Sequence, residues 1–145
     1  MTTRNTGLVA NFEAIPQVAN NAAELAGVLR TASGTVELLA GDSTDNDIVM
    51  LAPIPSNASI PQLFVGADEL GGTCQYNVGL YKTDGTVKDE DVFATAVDVP
   101  AVLADLRFEA ADLDTGSKKL WELAGDSTDP GGYFYVAVTF SATGG

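Results

Sequence analysis

The side chains of this chain best equipped for chemistry are carboxylates. Asp and Glu number 20 against 7 Lys and Arg, and histidine is absent. Without histidine there is no ordinary general base for neutral pH, no Ser-His-Asp relay and almost no route to a zinc site. The single cysteine, Cys74, has no imidazole to activate it and no second thiol to pair with. It stands in an alternating apolar run and reads as a small buried hydrophobe. What remains are clustered aspartates. The hexapeptide Ala-Gly-Asp-Ser-Thr-Asp occurs at residues 40–45 and again at 124–129, each copy following a Glu-Leu stretch. Asp42, Thr44, Asp45 and Asp47, or Asp126, Thr128 and Asp129, offer the hard oxygens that calcium prefers. The spacing nevertheless lacks the alternate ligands, central glycine and distal glutamate of a helix–loop–helix calcium loop. Gly followed by small hydrogen-bonding residues is turn chemistry, so both copies are expected as exposed acidic corners that end apolar segments. No catalytic residue, no metal ligand and no cofactor is assigned to them.

A second acidic motif, Leu113-Asp-Thr-Gly-Ser-Lys-Lys-Leu-Trp121, resembles the Asp-Thr-Gly-Ser motif of pepsin-like aspartic proteases. In that chemistry Asp114 would share a proton with a second aspartate and activate a water. Three features oppose it. No second Asp-[Ser/Thr]-Gly exists, since Asp84-Gly85 lacks the middle residue. Little chain follows Gly116 from which a one-motif dimeric enzyme could be built. The preceding residues 110–114 are acidic and broken rather than a long apolar strand. Leu120 and Trp121 are better read as core residues of a short helix, with Thr115 or Ser117 capping its start. The chain is therefore expected not to be an enzyme. The sequon Asn57-Ala-Ser59 carries no weight without a secretory signal, and the glycine pairs at 71–72 and 131–132 lack the context of a phosphate loop.

The elements that must hold these residues follow from composition and periodicity. At 145 residues, 46% of them hydrophobic, the chain suits one domain that buries about 70% of its unfolded surface. Its apolar runs fall far short of the ~20 residues of a membrane helix. The formal charge of −13 repels phosphate backbones and anionic lipid, which argues against nucleic-acid and membrane partners and favours a basic one. The polar start lacks a secretory signal and predicts a cytoplasmic product. Residues 1–26 show no sustained period and contain Pro16, so they read as an extended N-terminal arm with a possible short helix at 20–26. Residues 27–145 read as short strands between turns. Residues 28–31 and 35–39 predict a hairpin or one bulged strand, 47–51 a strand, and the Pro53 and Pro55 stretch an edge or a crossing loop. Further strands are predicted at 60–65 and 74–81, a turn at 83–86, a solvated cap at 88–91 and a helical turn at 118–124. Segments 92–99 and 102–108 are ambiguous, and 133–140 is the clearest strand. The sum is a mainly β, antiparallel sandwich or jelly-roll-like domain with one or two short helices.

Taken together, the segment from Asp47 to Ala58 (Asp-Ile-Val-Met-Leu-Ala-Pro-Ile-Pro-Ser-Asn-Ala), Asn77-Val-Gly-Leu-Tyr81, Asp84-Gly85, Asp91-Val-Phe-Ala-Thr-Ala96, Leu120-Trp-Glu-Leu-Ala-Gly125 and Asp129-Pro130 resemble a family of small tailed-bacteriophage head proteins similar to capsid decoration, or cement, proteins. The resemblance spans about residues 27–140 and rests on strand and turn residues. It implies a virion structural protein, made in the bacterial host cytoplasm, that binds the outer capsid surface. There it would reinforce contacts between subunits of the major capsid protein, as a homotrimer or other small homo-oligomer. A head fibre, tail or connector component is the alternative within the same particle.

Overall fold

In a computed structural model, the described residues are 14–19, 29–38, 43–67, 74–99, 103–106 and 112–142. By its internal contacts the chain divides into residues Met1–Ala32 and Ser33–Gly145. In the first unit, residues 14–19 form neither helix nor strand and expose Ile15 and Val18. The helix expected at 20–26 lies outside the described residues.

The second unit is mainly β. Its strands are β1 (Ile48–Pro55), β2 (Phe64–Val65), β3 (Gln75–Lys82), β4 (Val87–Asp98), β5 (Ala104–Asp105) and β6 (Tyr133–Ala142). One antiparallel sheet runs in the order β1-β6-β3-β4, and β2 pairs with β5 in a separate ribbon. Alternation along the two central strands builds the core. Tyr76, Val78 and Leu80 of β3 lie beside Phe140, Val138 and Val136 of β6, and all six are buried. Each such aliphatic side chain contributes about 1.5–3 kcal/mol on burial. Phe93 and Ala94 of β4, Phe134 of β6, and Leu106, Leu120 and Ala124 complete the cluster. Leu63 and Val65 pack against it too, so the ribbon and a short helix α1 (Leu120–Leu123) cover this face of the sheet. The arrangement is compatible with a sandwich whose second layer is small.

The helix is held at both ends by backbone bonds. The N–H groups of Leu120 and Trp121 donate to the carbonyls of Ala58 and Ser56, and Glu122 Oε2 accepts the Lys119 N–H at 2.7 Å. These satisfy donors that a helix start otherwise leaves orphaned. Thr115 and Ser117 are not its caps: they form a separate 3-10 turn, in which the Ser117 hydroxyl donates to the Asp114 carbonyl. At the other end, Gly125 has φ +73, with its N–H bonded to Glu122 O and that of Asp126 to Trp121 O. This is a Schellman stop, so the glycine of the second hexapeptide terminates a helix.

Several sequence expectations are revised. Residues 29–38 contain no strand, and Leu29 and Val36 are exposed; Gly34 approaches the Leu51 carbonyl of β1 and Leu38 packs on the core, but Pro53 and Pro55 leave that edge short of N–H donors for pairing. The expected strand at 60–65 shrinks to two residues. The expected cap at 88–91 lies inside β4, which is continuous through an irregular pairing with β3. Prolines 53 and 55 sit within β1, an edge strand. Ser56 N–H donates to Gly132 O, so by antiparallel alternation the two proline nitrogens face the open edge, where no ladder bond is lost.

The irregular pairing has one sharp requirement. Val78 faces Ala94 and Leu80 faces Asp89, so several β4 residues oppose Gly79 alone. A Cβ at Gly79 would stand 2.1 Å from the Asp89 carbonyl oxygen and 2.2 Å from the Glu90 carbonyl carbon. Gly79→Ala is therefore expected to cost about 3 kcal/mol, the upper end for overpacking. Gly125→Ala, with nothing within 4 Å, costs about 1 kcal/mol through its positive φ alone. Urea unfolding of the two variants measures the contrast, and equal losses would refute the close approach.

Candidate functional site

Asp114, the residue of the protease-like motif, is exposed in the turn before the 3-10 segment. Its Oδ1 lies 2.9 Å from the Lys118 ammonium, which also lies 3.7 Å from Asp112 Oδ2. The hydrogen-bonded Asp114 carboxylate, with Asp112 adding its charge, holds Lys118 above the usual lysine value. The immediate partner of Asp114 is thus a cation, whereas a proton-sharing dyad requires a second carboxyl.

The same region borders an open cleft of about 510 Å3, lined among others by Asp89, Asp91, Asp112, Thr115, Lys118 and Glu122. Burial, with Asp91 close by, pushes the Asp89 carboxyl up. Among the described residues no three carboxylate or thiol groups come together in a way that could hold a metal ion.

The two hexapeptides turn out to do different work. In the first, residues 40–42 lie outside the described ones. Its exposed turn at 43–46 leads into β1, and Asp47 accepts the Thr44 N–H at 2.9 Å together with the Thr44 hydroxyl. In the second, Ala124 and Gly125 close α1, and Asp126 accepts a 2.7 Å ion pair from Lys88 of β4. Asp129 then ties the loop to the end of β1. Its Oδ1 accepts the hydroxyl of Ser56 at 2.6 Å and the Gly131 N–H at 2.9 Å. Residues 127–129 are exposed, as expected of an acidic corner, while Ser56 beneath them is buried. Cys74 is buried at 5% exposure, in the core cluster.

What sequence reasoning missed is the face of the sheet turned away from the core. Paired residues share a face, so Pro53, Tyr135, Tyr81 and Val87 form one row across all four strands. Met50, Ala137 and Gly79 form the next, and Ile48, Thr139 and Asn77 the third. The middle of this face is closed. The Tyr81 hydroxyl shares a buried hydrogen bond with Thr139 Oγ1, four residues along β6 from its own partner Tyr135. Tyr81, Gly79, Ala137 and Thr139 are all buried. The margin is open and apolar: Ile48 is 45% exposed, Met50 37%, Val87 50% and Tyr133 57%, with Pro53 and Pro55 exposed beside them. The signal was present in β1, whose sequence Ile-Val-Met-Leu-Ala-Pro-Ile-Pro is apolar at both parities and so supplies two faces.

Comparison with known protein families, characterised proteins and solved structures finds no match to this chain. The chain's own geometry is therefore what bears on its function, and its described residues offer a packed scaffold with acidic loops and an exposed apolar margin on the outer sheet face.

The Ser56–Asp129 bond makes a pH-dependent prediction. The Ser56 hydroxyl and then the Gly131 N–H hold Asp129 below the ordinary aspartate range. A depressed folded-state pKa contributes stability that is present above the unfolded value and lost as pH falls through the folded one. In Ser56→Ala, Asp129 should titrate closer to the ordinary value of about 3.9. The difference in Tm between wild type and variant should shrink as pH falls below that range. Carboxyl-carbon NMR titration with parallel thermal melts checks both, and an unmoved Asp129 titration would contradict the assignment.

Proposed function

We propose that this protein is a structural component of a tailed-bacteriophage virion, a decoration protein that binds the outer surface of the head and reinforces contacts between major capsid subunits. It is made in the host cytoplasm and performs no catalysis. The observation that carries this reading is where the segments resembling that family lie. Residues 47–58 supply β1 and the turn that anchors α1, residues 77–81 lie in β3, residues 91–96 in β4, and residues 120–125 are α1 with its stop. The resemblance thus falls on connected parts of one scaffold, where Asp129 bonds Ser56 and the Asp84-Gly85 turn joins β3 to β4.

Charge supports the same reading. A formal charge of −13 keeps a protein made in large amounts soluble and suits a basic docking surface. Both exposed sheet edges discourage edge-to-edge growth: β1 carries two prolines, and β4 carries Lys88, Asp89, Glu90 and Asp91 in its irregular stretch. Such edges suit a chain that must not polymerise before it reaches its particle.

Co-sedimentation of the purified full chain with phage heads that lack it tests the proposal. Saturable binding at many copies per head is expected, whereas a few copies at one vertex would indicate a connector or tail component. Absence of binding would sink the reading. The absence of catalysis predicts no acid-dependent peptidase activity, identically in wild type and Asp114→Asn. Activity at low pH that the variant loses would reverse that part of it.

A further inference from the structure

Ile48, Met50, Pro53 and Pro55 of β1, with Tyr133 of β6 and Val87 of β4, form the apolar margin of the outer sheet face. Val87 stands apart at the opposite edge, beyond the buried Tyr81, but the β1 residues and Tyr133 adjoin one another, and an adjoining apolar set flanked by charge marks a docking surface. Its flanks decide the occupant. At one end Asp47 directly precedes Ile48, with exposed Asp45 behind it. At the other, Asp129 is bonded to Ser56 next to Pro55, and Asp84 occupies the hairpin three residues before Val87. Hydrogen bonds from Thr44, from Ser56 and Gly131, and from Thr86 lower the carboxyls of Asp47, Asp129 and Asp84 respectively, so all three are anions at neutral pH. Two copies laid face to face would set acid against acid at either end, whichever way one is turned.

We infer that this margin is the docking face of the protein and that its occupant is a protein surface with an apolar centre and a Lys- and Arg-bearing rim. On the reading of the preceding subsection, which this inference takes for the partner's identity, that surface belongs to the major capsid protein. Met50 and Tyr133 would lie inside the contact, and the three aspartates would meet the basic rim. The closed middle of the face, with Tyr81 bonded to Thr139, provides a rigid floor beneath these anchors. Association is then expected to weaken as salt rises, because charge at a rim is screened.

Hydroxyl-radical footprinting of the full chain, free and bound to phage heads that lack it, reads the face directly, since Met and Tyr side chains report oxidation. Met50 and Tyr133 should be oxidised in the free chain and protected at least several-fold on the head. Met50→Asp, checked for fold by circular dichroism, should lose at least ten-fold in affinity, and binding of the wild type should fall between low and high salt. Wild type that binds heads with Met50 and Tyr133 still oxidised would overturn this face while leaving the decoration role intact. Wild type that fails to bind at all would overturn the decoration role, and the partner with it. Concentration-dependent self-association in sedimentation, abolished by Met50→Asp, would make a second copy the occupant and overturn the inference. So would protection of both residues in the free chain, since the face would then be covered already. Footprinting uses the unmodified protein, so a misfolded variant does not shelter the proposal.

Discussion

The pairing of β6 with β3 is the constraint on which the rest of this fold depends. These strands occupy the centre of the sheet, and each must bury residues on both of its faces. On one face Val78, Leu80, Val136 and Val138 interlock in the core. On the other, Ala137 is fully buried and Gly79 is buried beside it. A slip of one residue would drive Tyr81 and Thr139 into the core and bring valines out, so the register is strongly specified. A glycine at position 79 follows from that register, because the β4 main chain approaches it closely there. The outer strands then take their places from the centre. β1 aligns on β6 with one extra residue at Leu51, and β4 accommodates its surplus residues as a bulge.

This arrangement determines what the surface can do. The helix, the ribbon and their loops cover the core face, and the Ser56–Asp129 bond fastens the end of β1 to the loop after α1. The turn carboxylates Asp47, Asp84 and Asp129 are satisfied by backbone N–H groups and hydroxyls, and Asp114 by Lys118, while Asp89, Asp91, Asp112 and Glu122 line the open cleft. The uncovered part of the outer face exposes Ile48, Met50 and Tyr133, as the ribbon region exposes Phe64 and Leu103. The outer face's apolar margin between acidic ends favours association with a surface of opposite charge, which the proposed docking on a phage head would use.

Much of this was legible in the sequence, and the reasons differ from element to element. The apolar run of β6 and the alternation at Cys74, Tyr76, Val78 and Leu80 announced the central strands, because burial leaves a direct imprint on residue type. The Asp84-Gly85 turn and the helical turn at Leu120 were equally visible, since each depends on local backbone chemistry. Prolines 53 and 55 pointed to an edge and are found on one. The strand at Lys88-Asp-Glu-Asp91 was hidden by its charges, which are tolerable because it is an edge with a bulge. The failed strands near Leu29 and Val36 show the converse, in which β-type residues form no ladder although Gly34 lies beside the proline-bearing edge of β1. The outer face escaped notice because it exists only once β1, β6, β3 and β4 are in register, bringing the β1 residues and Tyr133 to one edge of it from distant parts of the chain. The twin hexapeptides mislead in a different way: in the described part of the first, Thr44 bonds Asp47 before β1, whereas in the second Gly125 stops α1 and Asp129 bonds Ser56, because their neighbours supply the partners.

Cryo-electron microscopy of the intact particle tests the central claim most directly. The account predicts density for this chain in many copies on the outside of the head, with the β1–β6 face turned toward the major capsid subunits and both acidic ends of the margin beside basic side chains. Density confined to the tail or to a single vertex, or a chain seated on the head through the α1 side with the β1–β6 face toward solvent, would contradict it.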